Sequence, residues 1–464
     1  SISGREGDEP RWQRSVRFGS PACGDFPRRF FVVGPIGKRF VRIVSGRVFA
    51  SESGEPEGGF RREFVSLPPD CPDLGIRHFI ILTDMKTTIF RTLFFFVALF
   101  PFTTAFAQFN SYTTPERQAV YTPTYRTDGS GGKVKNVILM VGDGMGLAHM
   151  TVALHANGGD LTIARMRHIG LVKTQSQNRY ITDSAASGTA YATGHKTNNG
   201  SLGVDSEGNV LSNMTEILSS KGYATGIVTT DKISGATPAA FYTHQPRRSM
   251  TREILSDLIR TKALFVAGSS VSLFENIGVE YFDSLRHRGF GVIHDFRELP
   301  RVSADKIALI ACDRDAEWVQ NGRDTAYLRS VTDFALSFLA EKSKKGFFLL
   351  VEGAEIDHGA HAGNIEGVVR ETLDFDKAVA EALQFADENG ETLVIVLADH
   401  ETGGLALGEG NISEGVVSGH FATGGHSPVL VPVYAYGPHA QDFCGVIDNT
   451  EVFSRILSAL KVKR

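Results

Sequence analysis

The sequence predicts an α/β protein, a three-layer sandwich in which helices cover both faces of a central, mostly parallel β-sheet. From residue 136 onward, short runs rich in β-branched and aromatic residues alternate with amphipathic helical segments. These runs are apolar throughout, which is typical of parallel strands that are buried on both faces. No internal repeat or low-complexity linker interrupts the alternation. We therefore expect one domain built on one sheet.

Individual elements follow from the same pattern. The segments predicted to be strands are residues 136–141, 224–229, 263–267, 307–311, 347–351, 392–397 and 430–436. The clearest amphipathic helices between them are residues 324–342 and 367–389. Because parallel sheets bind ligands at the carboxyl ends of their strands, polar residues that directly follow a predicted strand are the candidates for a functional site.

The segment 85–107 has the composition of a secretory signal peptide. It contains Met85, two basic residues, an apolar run that ends at Phe102, and small residues at Ala105 and Ala107 where a signal peptidase cleaves. The apolar run is too short to span a bilayer. We expect an exported protein, periplasmic or secreted. The competing interpretation is a buried helix of the folded domain.

The segment 1–84 precedes this signal and is rich in arginine. Because a signal peptide acts near a true N-terminus, we expect residues 1–84 to be an upstream extension outside the native protein. A genuine arginine-rich extension is the alternative. Residues 108–135 are polar and predict an N-terminal arm, and residues 136–464 form the main domain.

The charge balance and the cysteine content limit the classes of function that this protein can have. The chain has 52 acidic and 48 basic residues, a formal net charge of −4, and no basic stripe. This balance argues against nucleic acid as a standing partner. After the signal segment the only cysteines are Cys312 and Cys444. An oxidising compartment permits one disulfide between them, and two buried thiols are the alternative.

Acidic and histidine side chains follow three of the predicted strands. Asp143 follows the first, Glu352 and Asp357 follow the segment 347–351, and Asp399-His400 follows the segment 392–397. Each of these residues taken alone is more often a solvated loop residue. Because parallel strands end at the same edge of a sheet, their coincidence favours one shared site.

The spacing of the histidines indicates a metal centre. Asp357 and His361 are four residues apart, so they lie on one face of a helical turn and can share a zinc ion. Asp399-His400 is a second Asp/His pair, and His426 follows two glycines. A single histidine would more often be structural, but two Asp/His groups and a further histidine favour metal binding.

Ser184 lies in a run of small residues, 182–190, that predicts the start of a helix. The N-terminus of a helix presents N–H groups and positive potential, which suit a phosphate and favour an alkoxide. An isolated serine of this kind is more often a helix cap, so the assignment depends on its neighbours.

Together these motifs resemble the ordered signature set of the alkaline phosphatases. The segments that carry the resemblance are 141–146, 182–190, 193–194, 196–200, 351–353, 357–361, 398–404 and 425–426. They occur in the family's order from about residue 136 to the C-terminus, with fewer matches between residues 250 and 340. Several spaced motifs in one order are far more specific than any one of them.

The resemblance implies a phosphoric monoester hydrolase that uses two zinc ions and one magnesium ion. Ser184 would be the nucleophile, and Arg248 would hold two phosphate oxygens, with the adjacent Arg247 as its rival. The zinc ion that activates the serine would be bound by Asp143, Asp399 and His400. The other zinc would be bound by Asp357, His361 and His426, and magnesium by Asp143, Thr237 and Glu352.

The resemblance also implies a reaction course. A phosphoserine forms at Ser184 and is then hydrolysed by water, while the metal ions and Arg248 neutralise charge on the phosphate. Because histidine ligands must be neutral and the nucleophiles deprotonated, activity is expected to rise toward alkaline pH. We expect a broad range of monoester substrates, and dimers are common in the family, so a homodimer is the expected candidate assembly.

Two positions depart from, or vary within, the family pattern. Gly235 stands two residues before Thr237, where the family often has Asp or His, so we expect an unfilled place beside the magnesium site. His358, next to Asp357, is expected either to contact phosphate through water or to be a polar residue of the rim. The interval from His400 to His426 is short, which predicts a compact fold without a large inserted subdomain.

Three other classes of protein fit these residues less well. Phosphodiesterases and nucleotide pyrophosphatases of the same superfamily usually have a threonine nucleophile and lack the arginine, so Ser184 with Arg248 favours monoesters. Sulfatases need a Cys-x-Pro-x-Arg-like context, which is absent around Ser184. A non-catalytic, metal-dependent phosphate-binding protein would be expected to lack the nucleophile or a ligand, and none is missing.

Overall fold

The computed structural model describes residues 109–278 and 280–464, together with three short strands between residues 33 and 52. The chain divides into two compact units, Ser1–Phe102 and Thr103–Arg464. In the first unit, β1 (Val33–Ile36), β2 (Arg39–Val44) and β3 (Arg47–Glu52) form an antiparallel sheet in that order. These strands belong to the segment expected to be an upstream extension. The expected signal peptide, residues 85–107, lies outside the described residues.

The second unit is organised by a ten-stranded sheet with the order β18-β6-β17-β12-β5-β11-β7-β8-β10-β9. Its strands are β5 (Asn136–Gly142), β6 (His168–Lys173), β7 (Ala224–Lys232), β8 (Phe265–Ser269), β9 (Phe290–Ile293), β10 (Lys306–Ile310), β11 (Phe347–Gly353), β12 (Thr392–Leu397), β17 (Val431–Tyr436) and β18 (Gly445–Asp448). Strand β17 is antiparallel to both of its neighbours, and all other pairings in the sheet are parallel. The sheet is therefore mostly parallel, as predicted, with one reversed strand.

Helices flank this sheet. They are α1 (Leu147–Ala156), α2 (Ser184–Thr193), α3 (Met214–Ser220), α4 (Ala236–Ala240), α5 (Thr251–Arg260), α6 (Val271–Ile277), α7 (Glu280–His287), α8 (Tyr327–Lys342), α9 (Glu355–His361), α10 (Ile365–Asn389) and α11 (Asn449–Ala459). Helix α10 packs on α1, α8 and α9 and against β5, β11 and β12, whereas α2 packs on α4 and α11. Short 3-10 helices lie at Ile163–Arg165, Phe296–Arg301, Asp313–Ala316, Val319–Asn321, Ile412–Glu414 and Ala440–Phe443. None of the helices described here has both the length and the apolarity needed to cross a bilayer.

The centre of the core lies along strands β5, β11 and β12. Every residue of these three strands is buried. Burying a large aliphatic side chain contributes about 1.5–3 kcal/mol, so continuous apolar strands gain most when both faces of the sheet are covered. This explains why the apolar runs of the sequence became the central strands.

Two small antiparallel sheets lie beside the large one. Strands β13 (Glu401–Thr402) and β16 (His426–Ser427) pair with each other, and β14 (Leu405–Leu407), β15 (Val416–Phe421) and β4 (Asn110–Thr113) form the second sheet. The interval from His400 to His426 therefore contains a hairpin and one 3-10 helix rather than a subdomain. The compact form of the fold is confirmed.

The N-terminal arm is fastened along helix α10. The Tyr121 hydroxyl donates to Asp387 Oδ2 at 2.7 Å, and the backbone N–H and hydroxyl of Thr124 donate to the same carboxylate at 2.8 and 2.7 Å. Gln118 Nε2 donates to Asp376 Oδ2 at 3.0 Å. Strand β4 then joins the arm to β15.

The predicted elements of the second unit are confirmed to within about three residues. All seven predicted strands are strands of the large sheet, and the two predicted helices are α8 and α10. The largest displacement in a strand is at β7, which ends at Lys232 rather than at residue 229. The sequence pattern did not predict β6, β9 and β18 or the strands of the small sheets.

Candidate active site

The register of the central strands brings three acidic residues to one edge of the sheet. Val141 pairs with Glu352 across β5 and β11, and Leu397 pairs with Val141 across β12 and β5. Asp143 and Asp399 follow these strands directly, so both lie next to Glu352 at the carboxyl edge. The shared site expected from the sequence is present.

A left-handed glycine closes the turn after β5. Gly144 has a φ of 70°, and its N–H donates to Asp399 Oδ1 at 3.0 Å. A Cβ atom at this position would lie 2.8 Å from Thr402 Oγ1 and 3.0 Å from the Cα atom of Asp357. Both the backbone conformation and the close approach of Asp357 therefore require glycine here.

Ser184 is the first residue of α2 and is buried, and Asp183 caps the helix. The Asp183 side chain accepts a hydrogen bond from the N–H of Ala186 at 3.0 Å. Ser184 Oγ lies 3.2 Å from His400 Nε2. The hydroxyl of Ser187 donates to the carbonyl oxygen of Asp399 at 2.8 Å, which fixes the helix to the turn that carries the site. Ser184 is thus held among the predicted ligands.

The first ligand group consists of Asp143, Asp357 and His400, whose ligand atoms all lie within 4.8 Å of one another. His400 Nε2 lies 3.5 Å from Asp143 Oδ1 and 3.0 Å from Asp399 Oδ2. His400 and Asp399 are fully buried. The predicted ligands Asp143, Asp399 and His400 are therefore together, and Asp357 joins them.

The second ligand group consists of Asp357, His361 and His426. His361 Nε2 lies 3.2 Å from Asp357 Oδ2, as expected for residues four apart on α9. His426 Nε2 lies 3.7 Å from Asp357 Oδ1 and 3.2 Å from His361 Nε2. Pairing of His426 with Thr402 in the small sheet brings this histidine to the site.

The hydrogen bonds of these two imidazoles fit a bound cation. His361 Nδ1 lies 2.8 Å from the carbonyl oxygen of Gly424, and His426 Nδ1 lies 2.9 Å from that of Thr182. A carbonyl oxygen only accepts hydrogen bonds, so both Nδ1 atoms carry their proton. The two Nε2 atoms, which lie 3.2 Å apart and both near Asp357, are then the ring nitrogens left to bind a shared cation, and nitrogen donors suit zinc.

A third group contains oxygen ligands only. Asp143 Oδ1 and Thr237 Oγ1 are buried and make no hydrogen bond of good geometry among the described residues. Burial, together with the charges of Asp399, Asp357 and Glu352, raises the pKa of Asp143 well above its ordinary value. Burial and the nearby Asp231 raise the pKa of Glu352 to about 8. Two buried carboxylates and a buried hydroxyl, all oxygen donors, fit a hard cation such as magnesium.

The space beside Gly235 is not empty, and the expectation of an unfilled place is wrong. A Cβ atom at Gly235 would lie 2.9 Å from Asp231 Cγ and would overlap Asp231 Oδ2. Asp231 directly follows the buried part of strand β7, four residues earlier in the chain than Gly235. Its carboxylate therefore occupies the place where a side chain at position 235 would lie.

His358 is half exposed and is held by Glu355. Its Nδ1 lies 2.7 Å from Glu355 Oε2, and this hydrogen bond raises the pKa of His358 to about 9. The imidazole is therefore positively charged at neutral pH, whichever of its two expected roles applies.

Of the two adjacent arginines, Arg248 faces the site. The Arg248 guanidinium lies 3.4 Å from Asp183 Oδ2. The backbone N–H of Arg248 donates to the carbonyl oxygen of Gly200 at 2.7 Å. The Asp183 carboxylate also accepts from the N–H of Gly200 at 3.0 Å. Asp183 thus places Arg248 next to the helix turn that starts at Ser184.

Both cysteines of the second unit, Cys312 and Cys444, are free and exposed. The alternatives of a disulfide between them and of two buried thiols are therefore both wrong. Neither thiol belongs to the site described above.

Sequence reasoning missed two residues that organise the ligands. Thr402 lies between them, with Oγ1 3.1 Å from His400 Nδ1 and its hydroxyl donated to Asp357 Oδ1. Asp183 caps α2 and positions Arg248. Both residues lie inside the motifs 398–404 and 182–190, so their position in the sequence already indicated that they belong to the site. Their roles become visible only in the structure.

Comparison with known proteins agrees with this geometry. The family model described as alkaline phosphatase matches residues 134–266 and 280–418. The alkaline phosphatase of Escherichia coli (strain K12) is 30% identical over 422 residues, covering 74% of this chain and 89% of that protein. The structure of alkaline phosphatase from the Antarctic bacterium TAB5 is 35% identical, with a TM-score of 0.67 and coverage of 72% and 100%. A TAB5 variant with Mg bound in its M3 site is 34% identical, with a TM-score of 0.67 and coverage of 72% and 99%.

The matched residues include every predicted ligand except His426. This histidine follows the matched range and pairs with Thr402, which lies inside that range. The strand order, the buried serine at a helix start and the clustered Asp and His side chains all lie within one unit. The fold, the site and the comparisons agree, and the chain belongs to the alkaline phosphatase family, as an enzyme that hydrolyses phosphate monoesters.

Proposed function

We propose that the enzyme transfers the phosphoryl group of a monoester to Ser184 Oγ and then to water, with two zinc ions and one magnesium ion as cofactors. The observation that carries this proposal is the position of Ser184. Its Oγ atom is in the first turn of α2 and 3.2 Å from His400 Nε2, so the nucleophile lies inside a group of metal ligands. An ordinary helix cap would not be surrounded by buried carboxylates.

The residues present fit these metals. Asp143, Asp399 and His400 would hold the zinc ion next to Ser184, and Asp357, His361 and His426 would hold the other. Asp143, Thr237 and Glu352 offer only oxygen atoms and would hold magnesium. The Mg bound in the M3 site of the TAB5 variant supports a magnesium ion in this family. When bound, the metal ions supply positive charge beside the serine hydroxyl, the phosphate and the departing alcohol oxygen.

The side chains of this chain then have defined tasks. Ser184 Oγ attacks phosphorus, a bond to Oγ forms, and the bond from phosphorus to the ester oxygen breaks as the alcohol leaves. The guanidinium of Arg248 binds two phosphate oxygens and keeps phosphorus in line with Oγ. His358, positively charged and partly exposed, adds charge at the rim. Water then cleaves the phosphoserine and releases inorganic phosphate.

The substrate range is proposed to be broad. The polar side chains that the described structure gathers here suit a phosphate group or a metal ion, and they include no set aimed at one particular alcohol. We also propose that the protein is exported to the periplasm or secreted, through the signal peptide at residues 85–107, and that it assembles as a homodimer. The domain division proposed is 1–84, 85–107, 108–135 and 136–464, with catalysis in the last segment.

The test compares 4-nitrophenyl phosphate with bis(4-nitrophenyl) phosphate as substrates of the purified protein. The protein is stripped with a chelator and reloaded with zinc and magnesium. We expect strong preference for the monoester, recovery of activity only with zinc, and loss of both activity and phosphoserine in Ser184→Ala. Preference for the diester would assign the protein to the phosphodiesterases of the superfamily and leave Arg248 without its role. No turnover of either compound, with zinc bound, would indicate a binding protein.

A further inference from the structure

Gly235 is not required by its backbone conformation. It has a φ of −54° and a ψ of 158°, which any residue adopts without strain. The requirement comes from space, because a Cβ atom here would lie 2.9 Å from Asp231 Cγ and from the carbonyl oxygen of Lys232. The glycine is therefore explained by the Asp231 carboxylate, and the two positions form a complementary pair.

Asp231 is fixed in place by the chain around it. Its Oδ1 atom accepts the N–H of Lys232 at 2.6 Å, and its own N–H donates to Thr229 Oγ1 at 2.9 Å. The Thr229 hydroxyl donates in turn to Glu352 Oε2, and these two residues are partners across β7 and β11. The backbone N–H of Asp231 is thus connected through one threonine to the predicted magnesium ligand Glu352, while the carboxylate atom Oδ2 points toward Gly235.

The charges around Asp231 place it in the same electrostatic environment as that site. After burial, the Asp231 carboxylate is the main cause of the raised pKa of Glu352. Asp231 also interacts with Glu355 and His358, the pair that borders the second ligand group. The buried atoms Thr237 Oγ1 and Asp143 Oδ1 make no hydrogen bond of good geometry among the described residues. Burial also raises the pKa of Asp231 itself, so Asp231 and Glu352 are two buried acids whose charged forms a bound cation would stabilise.

We propose that Asp231 is a positioning residue of the magnesium site and replaces, from strand β7, the side chain that alkaline phosphatases often carry at position 235. This inference rests on the proposed function for the identity of the metal. A carboxylate beside the ligands orients them and their water molecules and favours a small, hard dication. A purely structural role, in which Asp231 only shapes the turn with Lys232, would leave metal affinity unchanged.

The test measures Mg²⁺ binding to the zinc-loaded full chain by isothermal titration calorimetry, with zinc content determined separately by mass spectrometry. Asp231→Asn keeps the shape and removes the charge, and we expect it to weaken Mg²⁺ affinity roughly 10- to 100-fold with zinc content unchanged. The exchange variant Asp231→Gly/Gly235→Asp returns the carboxylate from the other side of the pair and is expected to regain most of the affinity. Asp305→Asn, at a side chain that is 98% exposed, is the matched control.

Each result of the Mg²⁺ titration supports or overturns the role proposed for Asp231. Unchanged Mg²⁺ affinity in Asp231→Asn overturns the inference, as does a wild-type protein that binds no Mg²⁺ while it hydrolyses monoesters with zinc. If Asp231→Asn does not fold, the exchange variant decides alone: tight binding supports the proposal, and binding as weak as that of Asp231→Gly overturns it. Failure of the proposed function shows instead as absent monoester hydrolysis by the wild-type protein, a measurement that the Mg²⁺ titration does not depend on.

Discussion

Thr402 Oγ1 lies 3.1 Å from His400 Nδ1 and donates its single proton to Asp357 Oδ1. Because this hydroxyl donates its proton to Asp357, its oxygen accepts a hydrogen bond from the Nδ1–H group of His400. This leaves the Nε2 atom of His400, which faces Ser184 and Asp143, free to bind a metal. One threonine therefore orients ligands of both predicted zinc sites.

Replacement of this threonine should weaken metal binding. Thr402→Val keeps the shape but removes the acceptor for His400 and the donor for Asp357, and we expect zinc affinity to fall roughly 10- to 100-fold. Competition with a chromophoric chelator measures this affinity. Thr402→Ser retains the hydroxyl and should bind zinc like the wild-type protein. Equal affinities in the valine and serine variants would contradict the role assigned to the hydroxyl.

The two adjacent arginines should differ in phosphate binding. Arg248 lies at Asp183 beside Ser184, and its hydrogen bonds to phosphate are expected to contribute about 1.5–3 kcal/mol. Arg248→Ala should therefore raise the inhibition constant of inorganic phosphate roughly 10- to 100-fold. Arg247→Ala, the matched control, should leave that constant nearly unchanged. A larger effect at Arg247 would exchange the two assignments.

The pH dependence of stability should differ between the metal-free and the metal-loaded protein. In the metal-free fold the pKa of Glu352 is about 8, above its ordinary value of 4.5. The folded state therefore binds more protons than the unfolded state between these values, and its stability falls as pH rises through this window. Melting temperatures of the chelated protein should decrease from about pH 5 to pH 8 and change little from this group above that range.

Added zinc and magnesium should reverse or flatten this decrease, because metal ions replace the proton on the carboxylates. Glu352→Gln cannot ionise and should show a smaller decrease in the chelated state. A melting temperature of the chelated wild-type protein that rises over this range would show that other groups dominate its proton balance.

The arm that precedes the domain should contribute to stability without affecting catalysis. Asp387 accepts hydrogen bonds from Tyr121, from the backbone and side chain of Thr124, and from Tyr436. Asp387→Ala leaves these donors without their acceptor, at an expected cost of about 1–3 kcal/mol in the free energy of unfolding. Denaturant unfolding measures the loss, and kcat should not change. Glu388→Gln, at the neighbouring position, is the control and should unfold like the wild-type protein.

The sequence predicted the central strands because continuous apolar runs carry their own evidence of burial. The missed strands β6, β9 and β18 each expose part of their length, so no such run marks them. The reversed direction of β17 could not be predicted either. An apolar run has the same pattern in both directions, and only the pairing with β12 and β6 sets its orientation.

The cluster of Asp and His side chains was predictable because these residue types are rare in buried positions and follow the strands closely. The residues that orient them were not, since a threonine in a glycine-rich turn, such as Thr402, has many ordinary roles. The misjudged position, Gly235, shows the physical reason most clearly. Its glycine is determined by the close approach of the Asp231 carboxylate to the glycine backbone across a turn, and such a contact leaves no periodic pattern in the sequence.

The distances along the chain between site residues have a consequence for how the enzyme matures. Ser184 and His400 are separated by 216 positions, and Thr182 and His426 by 244. Such contacts form late, because long loops must close before they are gained. The serine and its nearest histidine therefore meet only after strands from both halves of the chain have joined one sheet, so we expect tight zinc binding beside Ser184 to require the folded domain rather than a fragment.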